Sequence, residues 1–330
     1  HIKLGNNGPL LRIPRKNQLG LSAEEYIQQQ AMIYRECAAS GVTPALYGTI
    51  APQSADPDDI LNQGACVIGF IKGRKMSLAS DYNALASSLA KMHSIAPSGY
   101  SDKQGLDLAG SEIPFDSQIF LLTEVFKPSF EGSHLPGFMM TALQKQRDKI
   151  LQRHDDLFNK SAVKNIYRPG LMNGDNHIGN ILMDDQGKAW LVDLEFTQYE
   201  TPFIDLADAI LPITSGLDPD MTLRADEHQR ARFYQKWYDA MGHAPMMALY
   251  REQAHEFISF AEDIVTLRTL AWLSQWIKNR KENARHIDDI PQASIDNWDQ
   301  MAQNYLYNDA FSLTQSTPQR QAPRAPIFKP

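Results

Sequence analysis

The stretch from residue 171 to residue 196 constrains this chain more than any other. It begins Leu171-Met172-Asn173-Gly174-Asp175-Asn176-His177-Ile178-Gly179-Asn180, runs into Ile181-Leu182-Met183, and closes with Trp190-Leu191-Val192-Asp193-Leu194-Glu195-Phe196. A polar, Gly-containing segment followed by a short apolar run reads as a loop entering a strand. Asp184, Asp185, Gln186 and Gly187 supply turn chemistry, and Ala189 to Val192 supply a second apolar run, so the spacing predicts a β-hairpin. Asp175 and Asn180 precede its first strand, and Asp193 ends its second. Folding therefore brings three oxygen-bearing side chains to one end of a small sheet. Taken singly each is an ordinary turn residue, because Asp and Asn bond readily to nearby backbone. Their order and spacing carry the information.

Such a cluster suits a hard cation: magnesium prefers carboxylate and amide oxygens and keeps waters and substrate phosphates as its remaining ligands. Phosphoryl transfer needs that metal together with one acidic group that orients or deprotonates the attacking hydroxyl. With Asp205-Leu206-Ala207 following, the segment resembles the aminoglycoside phosphotransferase and choline kinase superfamily, whose pattern runs H-G-D-x-H-x-x-N, then I-D-W-E, then D-L-A. The resemblance implies that Asp175 is the catalytic base, that Asn180 and Asp193 are magnesium ligands assisted by Glu195, and that Asp205 is a structural acid. One position departs from the pattern. Asn173 stands where the family has a histidine, so an amide, which still donates and accepts hydrogen bonds, braces the loop.

The N-terminal residues extend the resemblance. Asn7-Gly8 lies between two short apolar-containing runs and signals a hairpin. Its second run carries Arg12 within Leu10-Leu11-Arg12-Ile13-Pro14; in the family this strand bears a basic residue that reaches the nucleotide phosphates. The strand and phosphate-covering loop of the family are expected upstream of His1 or absent. Between Ser22 and Ser40, Ile27, Ala31, Tyr34 and Ala38 form a helical stripe with Ser22 as N-cap and Gly41 as stop. The family places a glutamate in this helix to pair with the basic residue, and counting back from Gly41 puts Gln30 there. Val42 to Gly48 lead into another strand, and Ala65 to Ile71 resemble the strand and connection joining two lobes. The backbone of Gly69, Phe70 and Ile71 is the expected contact for adenine, which needs only main-chain N–H and C=O groups.

Further along, Leu85, Leu89 and Met92 stripe a helix ending near His93, which reads as a packing residue. A charged amphipathic helix is expected from about 136 to 159, with others over 223–241, 246–281 and 291–308. The third of these four is apolar almost all round between Phe257 and Ile277 and should be buried. Trp272 and Trp276 share a face on it, and Glu262, Asp263 and Arg268 interrupt it. The tryptophans read as core and the charges as paired with one another. Residues 311–330 carry Pro318, Pro323, Pro326 and Pro330 without apolar periodicity and should be extended.

Composition narrows the remaining choices. A net charge of −7 argues against a nucleic-acid partner and is compatible with a cationic substrate. No run approaches the length of a membrane span, and no charged-then-apolar leader opens the chain, so a soluble, cytoplasmic protein is expected. Cys37 and Cys66 are too few for a disulfide framework and read as reduced and buried. The resemblance implies an α+β, two-lobed protein-kinase-like fold: a small antiparallel-sheet lobe over 1–71 and a mostly helical lobe over 72–310. It further implies transfer of the γ-phosphoryl of ATP, with GTP as the other donor, to a hydroxyl of a small molecule. Choline-like amino-alcohols lead the acceptors, followed by aminoglycosides. The alternatives are a degenerate kinase fold that binds without turnover, and a protein kinase, for which no activation segment follows Asp193. Nothing in the sequence sets an oligomeric state.

Overall fold

Ser22 and Glu25 open the first helix with a reciprocal cap. The Ser22 hydroxyl accepts the Glu25 N–H at 3.3 Å while the Glu25 carboxylate accepts the Ser22 N–H at 2.8 Å. The helix, α1 (Ala23–Ala38), buries Tyr26, Ile27, Gln30, Ala31, Ile33, Tyr34 and Cys37, and Gly41 follows it at φ +64. Of the expected stripe, Ile27, Ala31 and Tyr34 are buried and Ala38 is exposed. The structure is a computed structural model that describes residues 1–6, 8–14, 21–54, 56, 58–77, 80–96, 112–131, 134–158, 163, 167–216, 225–242, 247–281 and 292–308. The expected tail over 311–330 lies outside the described residues.

The chain divides into two compact units, 1–110 with 170–199 and 111–169 with 200–330. In the first, β1 (Ile2–Lys3), β2 (Leu10–Arg12), β3 (Leu46–Ile50) and β4 (Ala65–Ile68) form an antiparallel sheet in the order β1-β2-β4-β3. The register sets Ile2 opposite Leu11 and Arg12 opposite Cys66. A second antiparallel sheet joins β5 (Gly73–Lys75) to the hairpin of β7 (Ile181–Asp184) and β8 (Ala189–Leu191). There Ile181 faces Leu191, Leu182 faces Trp190 and Met183 faces Ala189, closing the hairpin expected from the two apolar runs. The turn is fixed by the Asp184 carboxylate, which accepts the N–H groups of Gln186 and Lys188 at 2.9 Å each and the Trp190 indole N–H at 2.8 Å. β6 (Gly170–Met172) pairs with β9 (Gln198–Glu200). α2 (Tyr82–His93) buries Leu85, Leu89 and Met92, and the Ser88 hydroxyl donates to the Ala189 carbonyl at 2.8 Å. Cys37 and Cys66 are buried and outside any disulfide among the described residues, and burial pushes the Cys66 thiol up to about 11.

The second unit is helical: α3 (Asp116–Phe120), α4 (Lys127–Glu131), α5 (Gly137–Leu157), α6 (Phe203–Ile210), α7 (Pro212–Ser215), α8 (Glu227–Met241), α9 (Met247–Lys281) and α10 (Gln292–Ala302) are its described helices. Phe115, Phe158, Phe257 and Phe260 form its aromatic centre, with Phe115 and Phe158 5.0 Å and Phe158 and Phe257 4.9 Å apart. α9 is buried as expected, and Trp272 and Trp276 stack at 6.3 Å with Trp298 perpendicular to both. Its charges reach partners on other helices. Asp263 meets Arg153 at 2.6 Å, Glu262 accepts the Tyr234 hydroxyl at 3.1 Å beside Arg230, and Arg268 pairs with Asp208 on α6. Each partner lies on another helix, so these charges knit the bundle laterally.

Candidate active site

The loop entering β7 is shaped by three local devices. Gly174 sits at φ +84, and a Cβ there would lie 2.5 Å from the Phe196 carbonyl oxygen, so only glycine lets the loop pass so close to the second strand's exit. Asn173 is fully buried and its amide nitrogen donates to the Val192 carbonyl at 3.3 Å. The residue that departs from the family pattern therefore still ties the loop to the hairpin. His177 caps the short turn Ile178–Asn180, its Nδ1 accepting the Gly179 N–H at 3.1 Å. That bond places the neutral ring's proton on Nε2, which lies 4.0 Å from Asp175 Oδ2.

Asp175 is oriented by Asn180, whose amide nitrogen donates to the Asp175 carbonyl at 2.8 Å and to its Oδ2 at 3.3 Å. Those bonds commit the Asn180 nitrogen and leave its Oδ1 as the atom for a cation. The Asn180 carbonyl in turn accepts the Val192 N–H at 2.9 Å, which brings Asn180 beside the residue preceding Asp193. Asp193 itself adopts φ +57, a left-handed conformation that Asp tolerates better than most residues and that recurs where function fixes the backbone.

Arg12 reaches this same place from the other end of the sequence. Its side chain is buried, and Nη2 donates to Asp193 Oδ1 at 2.6 Å and lies 3.6 Å from Glu195 Oε2, while Nη1 donates to Gln30 Oε1 at 3.0 Å. Burial lowers the pKa of the guanidinium, but its interactions with Tyr34 and Asp193 outweigh that and hold it above its ordinary value. The Tyr26 hydroxyl donates to Glu195 Oε2 at 3.1 Å. Burial, with Glu195 next in order, pushes that phenol up to about 12. The Glu195 carboxyl is raised, first by burial and then by repulsion from Asp193, against the opposing effects of Arg12 and Tyr26, with Asp175 adding a smaller repulsion. Glu195 thus senses both carboxylates that flank the hairpin.

Of the residues expected from the sequence, Arg12, Asp193 and Glu195 form one ion-paired group and Asp175 with Asn180 a hydrogen-bonded pair; the backbone bond from Val192 to Asn180 and the electrostatic effect of Asp175 on Glu195 link the two. Gly69, Phe70 and Ile71 lie just past the end of β4, with no hydrogen bond or ion pair to either among the described residues. The Gly69 N–H is given to the Ala45 carbonyl at 2.8 Å. Tyr26 and His177 were not assigned roles from sequence. Tyr26 gives no signal beyond its place on the buried stripe of α1, whereas the spacing of His177 from Asp175 was visible in the motif.

Among the described residues, no three His, Cys, Asp or Glu side chains form a group that would hold a metal alone. The donor set still fits magnesium, which takes one or two protein carboxylates and completes its shell with phosphate and water. Two observations support the fit. The Asn180 side-chain oxygen is left over once its nitrogen is committed to Asp175, and Asp193, whose side chain is 41% exposed, already binds one cation, the Arg12 guanidinium.

The family model described as the phosphotransferase enzyme family matches residues 7–243. Three solved structures share the fold. An ethanolamine kinase from Plasmodium vivax superposes with a TM-score of 0.54 at 11% identity, over 90% of this chain and 76% of its own. A choline/ethanolamine kinase family protein from Mesorhizobium loti gives 0.55 at 14% identity, over 98% and 91%. A choline kinase from Cryptosporidium parvum gives 0.52 at 11% identity, over 92% and 85%. No curated protein matches the sequence.

Proposed function

The chain belongs to the phosphotransferase enzyme family, and from that premise we propose that it transfers the γ-phosphoryl group of ATP to a hydroxyl of a small molecule, with an amino-alcohol of the choline or ethanolamine type as the leading acceptor. The observation that supports the reading is the pair of bonds at the two ends of the hairpin, Asn180 to Asp175 before its first strand and Arg12, reaching from β2, to Asp193 after its second.

In this reading Asp175 accepts the acceptor's hydroxyl proton as its oxygen attacks phosphorus. Asn180 keeps the carboxylate aimed, since its amide nitrogen bonds both the backbone and Oδ2 of Asp175. Asn180 Oδ1 and Asp193 would hold magnesium, with Glu195 close by; a bound ion would supply positive charge against that developing on the phosphates. Arg12 supplies fixed positive charge for the phosphates of the nucleotide, and Phe70 and Ile71 offer main-chain groups to its base. The burial of Arg12 favours this role, because a charge in low dielectric acts more strongly on phosphate than a solvated one. A net charge of −7 favours a cationic acceptor. We read the enzyme as cytoplasmic. The support is two free, buried cysteines and the absence, among the described residues, of any helix long and apolar enough to cross a membrane.

The test is a screen for labelled γ-phosphoryl transfer to amino-alcohols, aminoglycosides and sugars, with Asp175→Asn alongside. Transfer to one acceptor class that disappears in the variant is the expected result. Transfer that persists in the variant removes Asp175 as base, and no transfer to any class refutes the activity.

A further inference from the structure

The cation that Asp193 holds in this structure belongs to the protein itself. Arg12 Nη2 lies 2.6 Å from Asp193 Oδ1, and the guanidinium is 3.6 Å from Glu195. Helix α1 faces the same guanidinium with a neutral group, the Gln30 amide oxygen at 3.0 Å. Gln30 is fully buried, and its Nε2 has no hydrogen-bond partner among the described residues. A carboxylate in the same volume would cost no steric change, would remove that orphaned donor, and would give Arg12 a counter-charge away from the hairpin. With glutamine there instead, the acids at hand for Arg12 are Asp193 and Glu195, two of the groups placed here as metal donors.

Building on the metal site proposed above, we infer that Gln30 and Arg12 are positioning residues that set how metal and nucleotide binding are coupled. Arg12 competes with a free divalent ion for Asp193, so the metal alone binds weakly. Nucleotide phosphates compete with Asp193 for Arg12; when they draw the guanidinium away, the carboxylate is released to a metal arriving with the nucleotide. Gln30 keeps this competition alive because a neutral amide steers the guanidinium without neutralising it. Tyr26 supports the same arrangement by holding Glu195 beside the guanidinium, 3.6 Å from the Nη2 that bonds Asp193.

The experiment measures Mn2+ binding by electron paramagnetic resonance, without nucleotide, in the wild-type protein and in Arg12→Met, Gln30→Glu and Gln28→Glu. Gln28 is exposed on α1, so Gln28→Glu adds the same charge to the same helix without reaching Arg12. Arg12→Met and Gln30→Glu should each bind Mn2+ about tenfold more tightly than wild type or Gln28→Glu, the scale of one charge-assisted hydrogen bond. Equal affinity across all four proteins overturns the inference, as does an equal gain in Gln28→Glu. Should Gln30→Glu fail to fold, unchanged affinity in Arg12→Met overturns it alone. A parallel titration of Mn2+ with ATP separates the two claims. If wild type takes up Mn2+ with ATP while the nucleotide-free affinities are all alike, only the inference falls. If no protein takes up Mn2+ under either condition, the metal site falls as well.

Discussion

Replacing Gly174 by alanine tests whether the loop bearing Asp175 is held by its close approach to the hairpin, and Gly187→Ala supplies the control. Both glycines have positive φ, +84 and +76. A Cβ at Gly187 meets nothing within 4 Å, whereas one at Gly174 lies 2.5 Å from the Phe196 carbonyl oxygen and 3.1 Å from the Phe196 Cβ. The left-handed conformation costs an alanine about 1–2 kcal/mol at either position. Part of that is recovered because alanine restricts the unfolded chain. Only Gly174→Ala adds a clash with backbone, and relieving such overpacking typically costs about 1–3 kcal/mol. Gly187→Ala should therefore lose about 1 kcal/mol in urea unfolding and Gly174→Ala about 3 kcal/mol. Either the loop carrying Asp175 or the exit carrying Asp193 and Glu195 must retreat, and a misplacement of about 1 Å at reacting groups costs on the order of 100-fold in rate. Gly174→Ala should thus lose both phosphoryl transfer and Mn2+·ATP affinity, while Gly187→Ala keeps both. Equal destabilisation of the two variants, or undiminished binding in Gly174→Ala, would refute the reasoning.

Asp208→Asn should destabilise the helical unit by about 3 kcal/mol in urea unfolding, because it replaces the buried partner of the half-buried Arg268 guanidinium by a neutral amide; a loss below about 1 kcal/mol would show that Gln118, which accepts from Arg268 at 3.1 Å, suffices. Glu200 predicts a pH dependence. Its buried carboxyl accepts from the Phe115 and Ser117 N–H groups at 3.0 and 3.2 Å and from the Tyr167 hydroxyl at 2.8 Å, yet burial dominates and raises its pKa. The native state then keeps that proton to a higher pH than the unfolded chain. The group's contribution is therefore full below the ordinary carboxylate pKa and declines as pH rises through the raised value. Unfolding midpoints measured upward from about pH 4 should show a declining contribution that Glu200→Gln removes, and an unchanged slope in that variant would contradict the assignment.

The sequence carried the parts of the site that lie close together in the chain. Asp175, Asn180 and Asp193 flank a hairpin whose two apolar runs and turn acids are neighbours in sequence, so their placement at its open end follows from the hairpin itself. The position of Gln30 opposite Arg12 was likewise countable from the end of α1. What escaped is long-range pairing. Nothing local to Leu10-Leu11-Arg12 says that the guanidinium is buried against an aspartate 181 positions away, and a basic residue on a strand ordinarily faces water. The same holds for Glu262, Asp263 and Arg268. Adjacency in sequence suggested mutual pairing, whereas helix packing gave each a partner on a different helix. Glu200 sits between Tyr199 and Thr201 and reads as a surface acid until Tyr167 and the 115–117 turn close over it. The commitment of the Gly69 N–H to Ala45 is a backbone matter that side-chain letters do not encode.

The assignment of separate roles to the hairpin's two acids is tested most directly by measuring Mn2+·ATP affinity and phosphoryl transfer together in Asp175→Asn and Asp193→Ala. Asp175→Asn should keep metal–nucleotide binding within about threefold of wild type and lose transfer by at least about 100-fold, as expected for a lost general base. Asp193→Ala should lose both. Metal–nucleotide binding that survives Asp193→Ala, or transfer that survives Asp175→Asn, would contradict the account.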